Sequence, residues 1–362
     1  MTPDAELRLR LTLHGARIAA VDIASTRFEL PARLTAGRTA EEVVHTIPRL
    51  FSICAHAQGA AAAAALDAAR GRTAADDVQR RREADVGHEA IVELMTRLLL
   101  DWPKAMGAQP DIPAVARLRG APAGAHDDIA RRMVYGMAPG EWLALRSPQQ
   151  LADWSARSTT LPVLLFRRLE REAADLSRND VHLLPSATDE LLREIAIRLQ
   201  EPGYARMPDW HGAPAETGAL ARHANHPLVH AYVKQHGATV AARMLARFID
   251  LATLLAGTPS APLTRSLALQ SGMGVGAAET ARGLLVHCVQ LDGDRVHGYR
   301  VLAPTEWNFH PQGALAQGLL QRRALTPEAA RRDAAWLVQA LDPCVACRID
   351  VVAETADEVA HA

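Results

Sequence analysis

Four residues near the end of the chain, Cys344 to Cys347, read C-x-x-C, and Asp342-Pro343 stands before the first thiol. Two thiols at that spacing can bind one metal ion or form a redox pair. Redox use needs a strand leading in and a helix beginning at the first cysteine. Here a proline precedes and "RIDVV" follows, which predicts a turn and then a β-type run. Structural zinc needs a second pair of ligands, which Cys54 and one of the 15 histidines could supply. Thiolates also suit iron and softer metals, so a site built from Cys54 and the C-terminal pair is a third reading. The plainest reading is two buried, inert thiols. Cys288, the remaining cysteine, alternates in phase with Leu284 and Val286 and reads as core.

Four cysteines among 362 residues do not make a disulfide framework. Hydrophobic residues reach 49% and the formal net charge is -1, from 40 Lys+Arg against 41 Asp+Glu. That balance describes a globular chain with a sizeable core, and it argues against nucleic acid or a membrane surface as partner. "MTPDAELRLRLTLHG" lacks the pattern of a signal peptide, and the apolar run Gly59 to Ala69 is too short to span a bilayer. The expectation is a soluble, cytoplasmic protein with reduced thiols.

Several elements must position these residues. Leu7, Leu9, Leu11 and Leu13 alternate with polar residues, His14-Gly15 turns the chain, and "ARIAAVDI" returns, which predicts a hairpin over 6–24. Alanine dominates from Cys54 to Arg70 and Gly71 stops the run, which predicts a helix closely approached by its neighbours. Ile91, Leu94, Met95, Leu98, Leu99 and Trp102 form one helical stripe. Glu89, Glu93 and Arg97 fall on the opposite face, Asp101 at the edge of the stripe, and Pro103 discourages continuation. Met106 to Ala125 reads as a long loop, and helices are predicted near Asp189 to Gln200 and Thr239 to Ala256. "GLLVHCVQLDGDRVHGYRVLAP" reads as two strands around Asp292-Gly293. The fold class is α+β, mainly helical, with small sheets at both ends. We take 1–362 as one domain, with a helical core over 50–257 and a C-terminal hairpin and metal-binding turn over 279–350.

The run "ETARGLLVHCVQLDGDRVHGYRVLAPTEWNFHP" resembles the large subunit of nickel-iron hydrogenases. "DPCVAC" is similar to that family's C-terminal D-P-C-x-x-C. "IPRLFSICAHAQGAAAAAALDAARG" is similar to its R-x-C-G-x-C-x-x-x-H helix start, and "LLLDW" to its Leu-Asp-Trp. The matches run in the family's order from about residue 7 to residue 350. Among such proteins the chain most resembles the HupK/HoxV hydrogenase-assembly proteins, which look like a reduced large subunit.

In the large subunits two cysteines bind nickel alone and two bridge it to an iron carrying CO and two cyanides. The resemblance puts Cys54 and Cys347 at the bridging positions and Cys344 at one nickel-only position, while Phe51 occupies the other. The family's two histidines fall at Gln58 and Asp350. His45 and His56 are near in sequence and read as surface or capping residues. The resemblance further implies that Arg282 lies over the metals with Asp101 as its carboxylate partner. Thr305 would hydrogen-bond a cyanide and Pro304 would wall the site.

A phenyl ring cannot bind nickel, so no nickel is expected. Two thiolates still suit an iron whose other positions hold CO and cyanide. The implied function is a non-enzymatic scaffold, or chaperone, for a transient Fe(CN)2(CO) unit. Its partners would be a hydrogenase large subunit and the maturation proteins that deliver iron. A metal-free structural partner of maturation factors and a divergent hydrogenase subunit are the alternatives. In the large subunits a protease cuts after the C-terminal histidine once nickel is in place. With Asp350 at that position the tail "VVAETADEVAHA" is expected to stay attached, with Val351 and Val352 packing as a short strand next to Cys347. The intact mass of protein from its own host checks this: a chain ending at Asp350 would refute it.

Overall fold

A computed structural model describes residues 6–26, 30–51, 53–177, 180–270 and 272–354. Its strands are β1 (Glu6–His14), β2 (Arg17–Ser25), β3 (Thr264–Gln270), β4 (Met273–Thr280), β5 (Gly283–Asp292), β6 (Arg295–Leu302) and β7 (Ala346–Glu354). β1 and β2 form the hairpin that the leucine alternation predicts. β7, the run after the cysteine pair, lies parallel to β1 on its other edge, so the two ends of the chain share one sheet. Leu7 pairs with Cys347, Leu9 with Ile349 and Leu11 with Val351, and this row faces the largest hydrophobic cluster. The second sheet runs in the order β3-β4-β5-β6. Its β5–β6 hairpin turns at Gly293-Asp294, and β3 and β4 extend it beyond the hairpin expected from sequence.

The helices that matter most here are α1 (Ala55–Ala69), α2 (Asp76–Thr96), α3 (Ile112–Gly120), α4 (Asp189–Arg198), α5 (Val240–Leu255) and α6 (Pro327–Leu341). α5 is buried along nearly its whole length, and its N-terminus is capped by Thr239. The alanine helix α1 lies flat on β4. Six successive alanines bury little by themselves, and the compensation is distance. A Cβ on Gly274 would collide with the backbone of Ala65 and Ala69, and one on Gly276 with the backbone of Ala61 and Ala65. Helix and strand therefore touch backbone to backbone. The other face of the sheet, carrying Leu284, Val286 and Cys288, packs on α4. Cys288 is buried there, as its alternation predicts.

Two expectations fail. The chain does not stop at Pro103: α2 passes into a π-turn over Arg97–Asp101 and then a short helix, Trp102–Ala105. Proline offers no N–H to the carbonyl four residues back, which is that of Leu99. The N–H of Asp111 reaches that carbonyl instead, at 3.0 Å. Nor is Met106 to Ala125 a plain loop, because α3 forms within it. Asp111 caps the N–H of Ala114 at 2.9 Å, and Pro113 sits in the first turn, where its missing N–H costs nothing. Among the described residues no helix is long and apolar enough to cross a membrane.

The packing of α1 on β4 predicts a sharp asymmetry between glycines. Gly276→Val should destabilise by about 3 kcal/mol, because the added atoms meet backbone that cannot move aside. Gly298→Ala, whose Cβ would lie 3.6 Å from Gln290 Cβ, should stay within about 1 kcal/mol of wild type. Urea midpoints at unchanged m-value measure both.

Candidate functional site

Cys54 is the N-cap of α1 but makes no side-chain cap. The open N–H groups of His56 and Ala57 are taken instead by Glu89 of α2, at 2.8 and 3.0 Å. One turn on, Glu93 accepts from Arg282 Nη1 at 2.6 Å. The two carboxylates assigned to the polar face of α2 are thus the contacts that fix Cys54 and Arg282. Arg282 follows β4 in the tight turn to β5 and is 3% exposed.

The far side of the site is held by Asp342. It ends α6 in a left-handed conformation, φ 53°, and is almost fully buried. Its Oδ1 lies 2.8 Å from Arg97 Nε and 3.6 Å from Arg282 Nε, and its Oδ2 lies 3.8 Å from Arg247 Nη2. Arg97 in turn holds Asp101 at 2.5 Å. The expected direct pair of Asp101 with Arg282 is therefore corrected. Asp101 sits on the widened π-turn and pairs within its own helix, while Glu93 and Asp342 hold Arg282. Burial opposes the charge of Arg282, but Asp342, Glu93 and the sulfurs of Cys344 and Cys54 outweigh it and hold it protonated. Its Nη2 is buried with no hydrogen-bond partner among the described residues.

After Pro343 the chain reaches Cys344. Thr305 Oγ1 lies 3.1 Å from its sulfur. Thr305 is placed by the helical turn Pro304–Asn308, with Pro304 in the first position and both residues buried. Burial pushes the Cys54 thiol up to about 12, the charge of Cys344 adds to this, and Arg282 opposes it. Metal binding at Cys54 must therefore displace a proton. Cys347 stands apart: it faces the row of Leu7, Ile349 and Val351, and burial and then Glu6 push its thiol to about 11. The structure thus brings together Cys54, Cys344, Arg282 and Thr305, and places Cys347 on the neighbouring strand. Among the described residues no three His, Cys, Asp or Glu side chains are grouped as a preformed metal site. Phe51 packs in the same apolar cluster as Cys54. His45 and His56 are exposed.

Residues 258–350 match the family model described as nickel-dependent hydrogenase. The chain is 33% identical to the hydrogenase expression/formation protein HoxV of Cupriavidus necator, over 100% of both chains. It is also 33% identical to HupK of Bradyrhizobium diazoefficiens, covering 95% of this chain and 96% of that one. The chain belongs to the HoxV/HupK family of hydrogenase expression/formation proteins. Its fold is that of a hydrogenase large subunit. The structure of the Ni-Fe-Se hydrogenase of Desulfovibrio vulgaris Hildenborough superposes with a TM-score of 0.59 at 13% identity, over 92% of this chain and 94% of that chain.

In this HoxV/HupK chain the sequence motifs point to Cys54, Arg282, Thr305 and Cys344. They do not point to Glu93, Asp342, Arg97 or Arg247. Asp342 stands in the D-P-C motif and could have been found there. Glu93 left no signal, because its partner is 189 residues away.

Burial raises the Glu93 acid to about 7, against the pull of Arg282. The folded state then holds a proton that the unfolded state has lost, between the ordinary value of 4.5 and about 7. Stability from this group is greatest below that window and falls as pH rises through it. Between those limits wild type should lose on the order of 2–3 kcal/mol more than Glu93→Gln. Denaturant unfolding of both proteins across pH 4 to 8 checks this; identical slopes would refute it.

Proposed function

We propose that this protein acts in hydrogenase maturation, as a non-catalytic scaffold that holds an Fe(CN)2(CO) unit before it enters a hydrogenase large subunit. The observation that carries the reading is Arg282. A buried guanidinium with an N–H unpartnered among the described residues, within electrostatic reach of two thiols, costs free energy unless an acceptor arrives. A metal-bound cyanide nitrogen is such an acceptor, and the thiols suit its iron. Cys54 is the anchoring thiolate. The motif register assigns the second iron bond to Cys347, whose side chain must turn from the apolar row of Leu7 and Ile349 to reach it. Cys344, held by Thr305, is near enough for its charge to act on Cys54 as a further sulfur. Membership among expression/formation proteins supports the setting. The apolar ring of Phe51, packed in the cluster of Cys54, offers nickel no ligand.

Infrared spectra of protein purified without oxygen from its own host test the reading, because CO and cyanide on iron absorb where protein does not. The bands should be present in wild type. They should vanish in Cys54→Ala and Cys347→Ala and weaken in Cys344→Ala, and metal analysis should find iron with far less than one nickel per chain. Equal loss in all three variants would make Cys344 an iron ligand too. Full bands in Cys54→Ala, or no bands in wild type, would overturn the proposal.

A further inference from the structure

Gln58 stands one helical turn into α1, where the resemblance puts a histidine. Its Nε2 lies 3.7 Å from Cys54 Sγ. Its Oε1 lies 2.9 Å from His287 Nε2, and His287 Nδ1 lies 2.7 Å from the hydroxyl of Tyr299. All four residues are at most 9% exposed. The contact of Gln58 with His287 spans 229 residues, and it exists because of the glycine strand. Gly276 is the cross-strand partner of His287, and its missing side chain lets α1 come down until Gln58 meets the imidazole.

The chain of contacts has a direction. Burial holds His287 neutral, with its pKa pushed down to about 3, so it carries one N–H and one lone pair. The Tyr299 hydroxyl has His287 as its partner among the described residues, and a buried phenol left without an acceptor is costly. The phenol therefore donates to Nδ1. The imidazole proton is then on Nε2 and goes to Gln58 Oε1, which turns the amide NH2 toward sulfur. Reversing the chain would strand the Tyr299 proton. With this direction the phenol, the imidazole and the amide each donate to the next group in the run, and the last acceptor is Cys54.

We infer that Tyr299, His287 and Gln58 form a one-way hydrogen-bond relay that presents an amide donor to the Cys54 sulfur and so holds it as an acceptor, the role of a metal-bound thiolate. Gln58 and His287 are positioning residues. An amide has no titratable proton, so the relay polarises the sulfur without supplying it a proton or taking one away. The relay itself is a property of the metal-free protein. Its effect on bound iron rests on the scaffold reading.

Two measurements keep the two ideas separate. In metal-free protein with 15N-labelled histidine, the His287 resonances should show a protonated Nε2 and a bare, hydrogen-bonded Nδ1, unchanged from pH 5.5 to 8.5. Tyr299→Phe should move the Nδ1 resonance alone. A proton on Nδ1, mixed tautomers or titration in that range would overturn the relay whether or not iron is ever bound. In iron-loaded protein, Gln58→Leu removes the donor, so the sulfur gives more charge to iron and the CO band should move to lower wavenumber. Gln58→Met, which also lacks the donor, should move the CO band the same way and replaces Leu should that variant fail to fold. An unmoved CO band with the iron retained would refute the effect of Gln58 on the sulfur while leaving the scaffold standing. Absence of CO bands from wild type would refute the scaffold and leave the tautomer result intact.

Discussion

The buried carboxylate of Asp342 is the constraint on which the rest of the site depends. It lies among three guanidinium groups that come from three separate parts of the chain: Arg97 after α2, Arg247 within α5 and Arg282 before β5. Removing one member of a buried ion cluster leaves the others uncompensated, a cost of about 3–5 kcal/mol. Asp342 also closes α6 with a left-handed residue, and Pro343 follows at once. The turn that carries Cys344 is thereby fixed at both levels, by backbone shape and by charge. β7 leaves from that turn to pair with β1, so the same carboxylate sets where the two ends of the chain meet.

A second constraint comes from the absence of side chains. Gly274 and Gly276 allow α1 to lie on β4 at backbone distance, and the alanines of α1 match them. Large side chains would bury more area but would lift the helix away from the sheet. The close contact brings the start of α1, with Cys54 and Gln58, to a sheet that carries His287 and leads through its turn to Arg282. Glu89 and Glu93 then tie α2 to both. The apolar packing places the site and the buried ions orient it.

The electrostatics are consistent with a site that receives something. Cys54 is a thiol at neutral pH because burial disfavours its charge, yet an amide donor lies at its sulfur and Arg282 stands near with an N–H that has no partner among the described residues. Both groups favour negative charge at the Cys54 sulfur. Glu93, poised to lose its proton near neutral pH, adjusts the local balance. The chain shares its fold with a hydrogenase large subunit.

Local periodicity alone determined the N-terminal hairpin, the alanine helix, the helix Val240–Leu255, the hairpin at Asp292-Gly293 and the strand after the cysteine pair. Each depends on alternation, helical spacing or a turn residue within a few positions. Motif order further singled out Cys54, Cys344, Cys347, Arg282, Thr305, Pro304 and Asp101 as one site; the fold brings Cys54, Cys344, Arg282 and Thr305 together and sets Asp101 and Cys347 apart from them. Pro103 and the prolines and glycines of Met106 to Ala125 misled, because a proline ends a helix only when the carbonyl it orphans finds no other donor, and Asp111 supplies one. Periodicity places a residue on a face but does not say what lies opposite. For that reason Glu93 read as solvent-facing and Asp101 as the partner of Arg282, until the tertiary structure set Arg282 against α2 and closed Asp342 over it. The resemblance put Cys347 beside Cys54, whereas the fold turns it toward the apolar row of Leu7 and Ile349. Its spacing from Cys344 is local, but the direction of its side chain follows from the register of β7 on β1, formed by residues 340 positions apart.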